Sequence, residues 1–157
     1  REQRSWVHKT ANALDKLPKG LQERAKESLH QVWMAESRPE AEAAAGAFVR
    51  KYAAKYPRAS ECLVKDLDEL LTFYDSPAEH WTHLRTTNPI ESTFATVRLR
   101  HQQTKGSGSR IACLAMVFKL VQSAERFWRR LNGVHFLPEV IQGTKFIDGL
   151  IVRSDAA

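Results

Sequence analysis

Apolar residues recur at three- and four-residue spacing through most of the chain, and strict alternation is almost absent, so the pattern predicts helices rather than strands. Trp6, Val7, Thr10, Leu14 and Leu17 form one stripe, closed by Pro18. Leu21, Ala25, Leu29, Val32 and Trp33 mark a second helix over Lys19 to Glu36. Ser37-Arg38-Pro39-Glu40 has the order of a capping box and predicts the start of a third, whose small face (Ala41, Ala44, Ala45) leads into Phe48, Val49, Tyr52 and Tyr56 before Pro57. A fourth helix is predicted from Ala59 to Phe73, with Cys62, Leu63, Leu67, Leu70 and Leu71 inward. Tyr74-Asp75-Ser76-Pro77 reads as a turn, and residues 78–81 as a short bridge.

Beyond the bridge, Asn88 suits an N-cap, Pro89 the first helical position, and Glu91 the third. Ile90, Phe94, Val97 and His101 then share a face and predict a core-facing helix ending near His101. Residues 102–110 form a polar, glycine-containing loop. Arg110 to Leu131 is predicted to be the longest helix, apolar nearly all round from Ile111 to Val121 and therefore central and buried, with Asn132-Gly133 as its stop. The tail holds a short helix near Pro138 to Ile141. Phe146, Ile147, Leu150 and Ile151 are expected to pack back, and Ser154 to Ala157 to fray.

Charge changes this picture more than composition does. The chain of 157 residues carries a formal net charge of +6, a balance that favours polyanions such as nucleic acid. No apolar run approaches the ~20 residues that a bilayer span needs, and Arg1-Glu2-Gln3-Arg4 does not read as a signal peptide. Cys62 and Cys113 sit in apolar helical contexts without metal-type spacing, so free thiols in a reducing cytoplasm are expected. Glu61, Asp66, Asp68 and Glu69 read as a solvated acidic face. Trp6 and Trp33 read as packing, Trp81 as packing or base stacking, and Trp128-Arg129-Arg130 as a helix end or a DNA edge.

Five cations, Arg85, Arg98, Arg100, Lys105 and Arg110, fall within 26 residues around Glu91. Cations so placed suit phosphate contacts, which give salt-dependent and largely sequence-independent affinity. An Asn-x-x-Glu start is equally a plain capping box, its carboxylate returned to the cap's backbone N–H. From residues alone, a non-catalytic helical DNA-binding or dimerisation module and a plain helical interaction protein both remain open.

Thr86-Thr87-Asn88-Pro89-Ile90-Glu91-Ser92, followed by Phe94 and the Arg98/Arg100 pair, resembles the signature around the last acidic residue of Mutator-type bacterial insertion-sequence transposases. Ser5-Trp6-Val7-His8 resembles that family's Cys-x-x-His element, with Ser5 in the cysteine's place. Leu114 to Leu120 and Trp128 to Gly133 are similar too. The resemblance implies an Asp-Asp-Glu enzyme on a ribonuclease H-like fold that cleaves and joins double-stranded DNA with Mg²⁺. Glu91 is then the third acidic metal ligand, and His8 a second active-site residue. Arg85, Arg98, Arg100, Lys105 and Arg110 become DNA contacts. The two aspartates would precede Arg1, so the chain reads as a mainly α C-terminal part whose sheet lies largely elsewhere. It divides into a helix after the second Asp (1–17), an all-helical insertion (18–80), the Glu-bearing helix with basic loop and long buried helix (81–131), and a tail (132–157). A homo-oligomer is expected, as is inactivity of this part alone.

Overall fold

Two prolines punctuate the first three helices where the pattern predicts. The computed structural model describes residues 2–86 and 88–152, with the side chains of residues 88–90 outside the description. Expectations for the Asn88 cap, for Pro89 and Ile90 in the stripe, and for fraying at Ser154 to Ala157 therefore lie outside the described residues. Helix α1 is Trp6–Leu14, α2 is Lys19–Trp33 with Pro18 just before it, and α3 is Arg38–Tyr52 with Pro39 in its first turn. The chain is mainly helical, and among the described residues its strands are confined to one two-stranded sheet.

By its contacts the chain forms two compact units, Arg1–Thr86 with Leu131–Ala157, and Thr87–Arg130. In the first, α2 packs along α3, and α1 lies against α2 and α4 (Pro57–Val64). Trp6, Leu29, Phe48, Leu63, Leu70 and Tyr74 are fully buried there, each large apolar side chain contributing about 1.5–3 kcal/mol. The Trp6 indole N–H donates to the Leu70 carbonyl at 2.9 Å, which satisfies its polar edge inside the core.

The single helix expected over Ala59 to Phe73 is in fact two, α4 and α5 (Leu67–Leu71), followed by a 3₁₀ turn over Thr72–Asp75. The break falls at Asp66, and the reason is electrostatic. Asp66 is buried, not part of a solvated face; its carboxylate accepts from the Lys9 ammonium and from Arg4 at 2.9 Å. Lys9, also buried, donates further to the Cys62 carbonyl at 3.0 Å. The Lys9 hydrogen bond holds the Asp66 carboxyl below the usual carboxylate range against the opposing effect of burial.

The expected capping box at α3 is also rearranged. Ser37 makes no side-chain cap bond, and Glu40 accepts from the Glu36 N–H at 3.2 Å. The Arg38 N–H is instead satisfied by Asp148 at 2.8 Å. Asp148 lies in a hairpin that the pattern did not predict, β1 (Phe146–Ile147) paired antiparallel with β2 (Leu150–Ile151). Its turn residues Asp148 and Gly149 have φ of 47° and 83°, the left-handed pair that a two-residue hairpin needs. Gly149 donates to the Tyr74 carbonyl and accepts from the Ala78 N–H, both at 3.2 Å. The hairpin tip is thereby fixed against the 3₁₀ segment. Phe146 is buried as expected, whereas Ile147, Leu150 and Ile151 are exposed.

A 3₁₀ turn at Ala78–His80 leads into α6 (Trp81–Leu84). The segment that returns at residue 131 is tied to this stretch. The Asn132 N–H donates to His83 Nε2 at 3.0 Å, and buried His80 donates from Nε2 to the Gly133 carbonyl at 2.9 Å. A further 3₁₀ turn (Val134–Phe136) and α9 (Leu137–Ile141) complete the unit.

Candidate functional site

The second unit consists of two helices, α7 (Asn88–Gln103) packed along α8 (Arg110–Glu125). Its connection is determined locally. The Gly106 N–H donates to the His101 carbonyl at 3.0 Å and the Lys105 N–H to the Gln102 carbonyl at 3.1 Å, with Lys105 at φ 52°. This double closure satisfies the last carbonyls of α7 and places a cation at the negative end of the helix dipole. Ser109 then caps α8, accepting from the Ala112 N–H at 3.2 Å, and so sets Arg110 in the first turn.

Neither helix buries its apolar face in the way the pattern suggested. Phe94 and His101 on α7 are exposed and Val97 is half-buried. On α8, Ile111 is 80% exposed and Leu114 and Phe118 59% each, so the helix is not a central buried one, and it ends at Glu125 rather than Leu131. Within the unit each helix has the other to pack against, which cannot cover an all-round apolar surface.

Net charge is unevenly divided between the units. Eight of the 24 Lys and Arg and two of the 18 Asp and Glu fall in Thr87–Arg130, which leaves sixteen of each for the other unit. The formal +6 of the whole chain thus resides in α7, α8 and their flanks. Glu91, in the first turn of α7, is half-buried, while Arg98, Arg100, Lys105 and Arg110 are exposed. Among the described residues none of these four cations forms an ion pair. Lys119, Arg126, Arg129 and Arg130 belong to the same basic unit; Arg129 and Arg130 were read from the sequence as a helix end or a DNA edge, whereas Lys119 and Arg126 were not among the predicted contacts, and the signal that finds them is the charge count by unit.

His8 and Arg85 belong to the other unit. His8 is exposed on α1, next to the buried Lys9. Ser5, preceding α1, keeps its hydroxyl buried without a hydrogen-bond partner among the described residues. The half-buried guanidinium of Arg85 lies 4.7 Å from the Phe73 ring centre and 5.2 Å from that of Trp81. Burial lowers its pKa. Trp81 is committed to packing, edge-on to Phe73 and Tyr74 and donating to the Ser76 carbonyl at 3.0 Å. Burial likewise pushes the Tyr74 phenol up to about 12; its O–H donates to the Ala35 carbonyl at 2.7 Å.

Among the described residues no three His, Cys, Asp or Glu side chains converge in a way that could hold a metal ion, and no helix is long and apolar enough to cross a membrane. Cys62 and Cys113 are free and half-buried. Exposed cations of this kind suit contact with phosphate. Among the described residues the unit offers several exposed cations without an ion pair, on a helix pair with exposed apolar surface.

Comparison with known proteins points the same way. A family model described as "Transposase, Mutator family" matches residues 1–130. The chain is 53% identical over 149 residues to the transposase for insertion sequence element IST2 of Acidithiobacillus ferrooxidans, covering 95% of the chain and 50% of that protein. It is 49% identical over 153 residues to the transposase for insertion sequence element IS6120 of Mycolicibacterium smegmatis, covering 98% and 47% respectively. A more distant relative, the transposase for ISRM5 of Rhizobium meliloti, is 28% identical over 130 residues. The chain spans about half the length of the first two relatives. No solved structure matches it.

Proposed function

Since this chain belongs to the Mutator family of transposases, we propose that it is the C-terminal part of a DNA strand-cleaving and strand-joining enzyme. In this reading Glu91 is the third acidic residue, His8 a second active-site residue, and Arg85, Arg98, Arg100, Lys105 and Arg110 contact the phosphates of double-stranded DNA. The observation that carries it is the placement of the chain's entire net charge on the unit bearing Glu91. A ribonuclease H-like catalytic domain, with these helices as its insertion and closing elements, is the architecture the reading requires.

That chemistry takes a divalent metal, Mg²⁺, which polarises the phosphodiester and stabilises the charge that develops there. The residues present do not fit a complete site: Glu91 offers one carboxylate, and no third donor converges with another pair among the described residues. Two further carboxylates must come from elsewhere in the intact protein. The chain alone therefore neither binds Mg²⁺ tightly nor cleaves DNA; metal-dependent strand transfer by it would refute this. The intact enzyme works as a homo-oligomer, a reading supported by the exposed Ile111, Leu114 and Phe118 of α8.

DNA binding by the chain tests the charge argument. A duplex should bind with an affinity that falls steeply with salt, with a log–log slope of roughly −0.9 per phosphate contacted. Arg98→Glu with Arg100→Glu should flatten that slope by about 2. An unchanged slope and affinity would remove both arginines from the interface.

A further inference from the structure

The chain has four tryptophans, and three of them are spoken for in the first unit: Trp6 is buried, Trp33 half-buried beside His30, and Trp81 edge-on to Phe73 and Tyr74. The fourth differs. Trp128 is 57% exposed, and its neighbour Phe127, at 83%, is the most exposed large hydrophobic residue in the described chain. Both follow the end of α8, where the Phe127 N–H still reaches the Ala124 carbonyl at 2.9 Å and the Trp128 N–H the Glu125 carbonyl at 3.2 Å. From Trp128 to Arg130 the backbone is no longer helical. Arg126, Arg129 and Arg130 flank the two rings, all exposed and, among the described residues, without an ion pair. Two large rings held in water among three guanidinium groups are a poor arrangement for the free protein.

We propose that Phe127 and Trp128, with Arg126, Arg129 and Arg130, form a contact for single-stranded DNA, in which unstacked bases lie on the rings and the arginines take the adjoining phosphates. The proposal rests on the DNA reading above and deepens it. Charge complementarity selects a polyanion, because the segment lies in the unit that carries all of the chain's net positive charge. Exposed rings select the single strand. In a duplex the faces of the bases are already stacked on one another, whereas a separated or splayed strand offers them to any aromatic plane, with cations tracking its backbone. Arginine suits this place better than lysine, since its planar group binds phosphate and also stacks.

The test uses fluorescence anisotropy of a labelled thymidine oligonucleotide and of a blunt duplex of equal length, each over a salt series. For Phe127→Ala with Trp128→Ala, single-strand affinity should fall by about five- to a hundredfold per ring engaged, with duplex affinity and both salt slopes nearly unchanged. For Arg126→Gln with Arg129→Gln and Arg130→Gln, the single-strand slope should flatten by about 2. Equal losses on both DNAs, or none on the single strand, from the aromatic variant would overturn the proposal while leaving duplex binding by Arg98 and Arg100 intact. Failure of the unmodified chain to bind either DNA would overturn the DNA reading together with it. Vesicles containing phosphatidylserine are the remaining arm. Ring-dependent binding to them, with single-strand binding unaffected, would assign the segment to a membrane surface instead.

Discussion

Asp66→Asn is the most informative single change in the first unit. Its side chain is 9% exposed and that of Lys9 10%, so the pair is screened little by solvent. The amide keeps the shape and one acceptor but leaves the Lys9 ammonium with no anion, only the Cys62 carbonyl at 3.0 Å. Removing one partner of a buried pair costs about 3–5 kcal/mol, a large share of the roughly 5–15 kcal/mol that holds a domain together. Arg4, with 46% of its side chain exposed, adds little to that loss. Urea unfolding followed by far-UV circular dichroism reads the difference. Replacing both partners, Lys9→Met with Asp66→Leu, should recover most of it, because no charge is then left buried alone. Acidification supplies a second check. The folded state favours ionised Asp66, so its stabilisation is complete above the ordinary carboxylate range and is lost as pH falls through the lower folded-state value. The gap between the unmodified chain and Asp66→Asn should therefore close in acid. A gap under about 1 kcal/mol at neutral pH, or one that does not narrow on acidification, would refute the reasoning.

Three other changes probe separate contacts. Gly149→Ala would place a Cβ 2.6 Å from that of Ala78 at a φ of 83°, so it should displace the hairpin tip and cost roughly 2–3 kcal/mol in the same assay. Ser5→Cys removes a buried hydroxyl that has no hydrogen-bond partner among the described residues, so the unfolding free energy should stay level or rise by up to about 1 kcal/mol. Arg85→Lys keeps the charge but loses the planar group over Phe73 and Trp81, which should destabilise the fold by about 1 kcal/mol in the same assay.

Helices α1 to α3 are legible in the sequence because large apolar residues at regular spacing coincide with Pro18 and Pro39, two strong punctuators. The division between α4 and α5 is not, since Asp66 is buried only by virtue of Lys9, a partner 57 positions away. The β1–β2 hairpin escapes a search for alternation because its strands are two residues each. Asp148-Gly149 is nonetheless a recognised turn pair, and that signal was there to be read. The pattern of α8 records what the helix prefers to touch, not what touches it, hence the mistaken expectation of a buried centre. Within the candidate site, the exposure of Arg98, Arg100, Lys105 and Arg110 is the ordinary state of long charged side chains without a buried partner. The stacking of Arg85 depends on Phe73 and Trp81 meeting in space, which no local spacing encodes.

The hydrogen bond from Asn132 to His83 means that the backbone leaves the neutral unit and re-enters it at nearly the same spot. In chain order, residues 87–130 are thus a cassette inserted between two neighbouring segments of the other unit. Evolution or an engineer could lengthen, shorten or exchange such a cassette at little entropic penalty, since loop closure grows only with the logarithm of the enclosed length. Changes in the charge and length of residues 87–130 can then accumulate in one place, while the other unit keeps its own packing undisturbed.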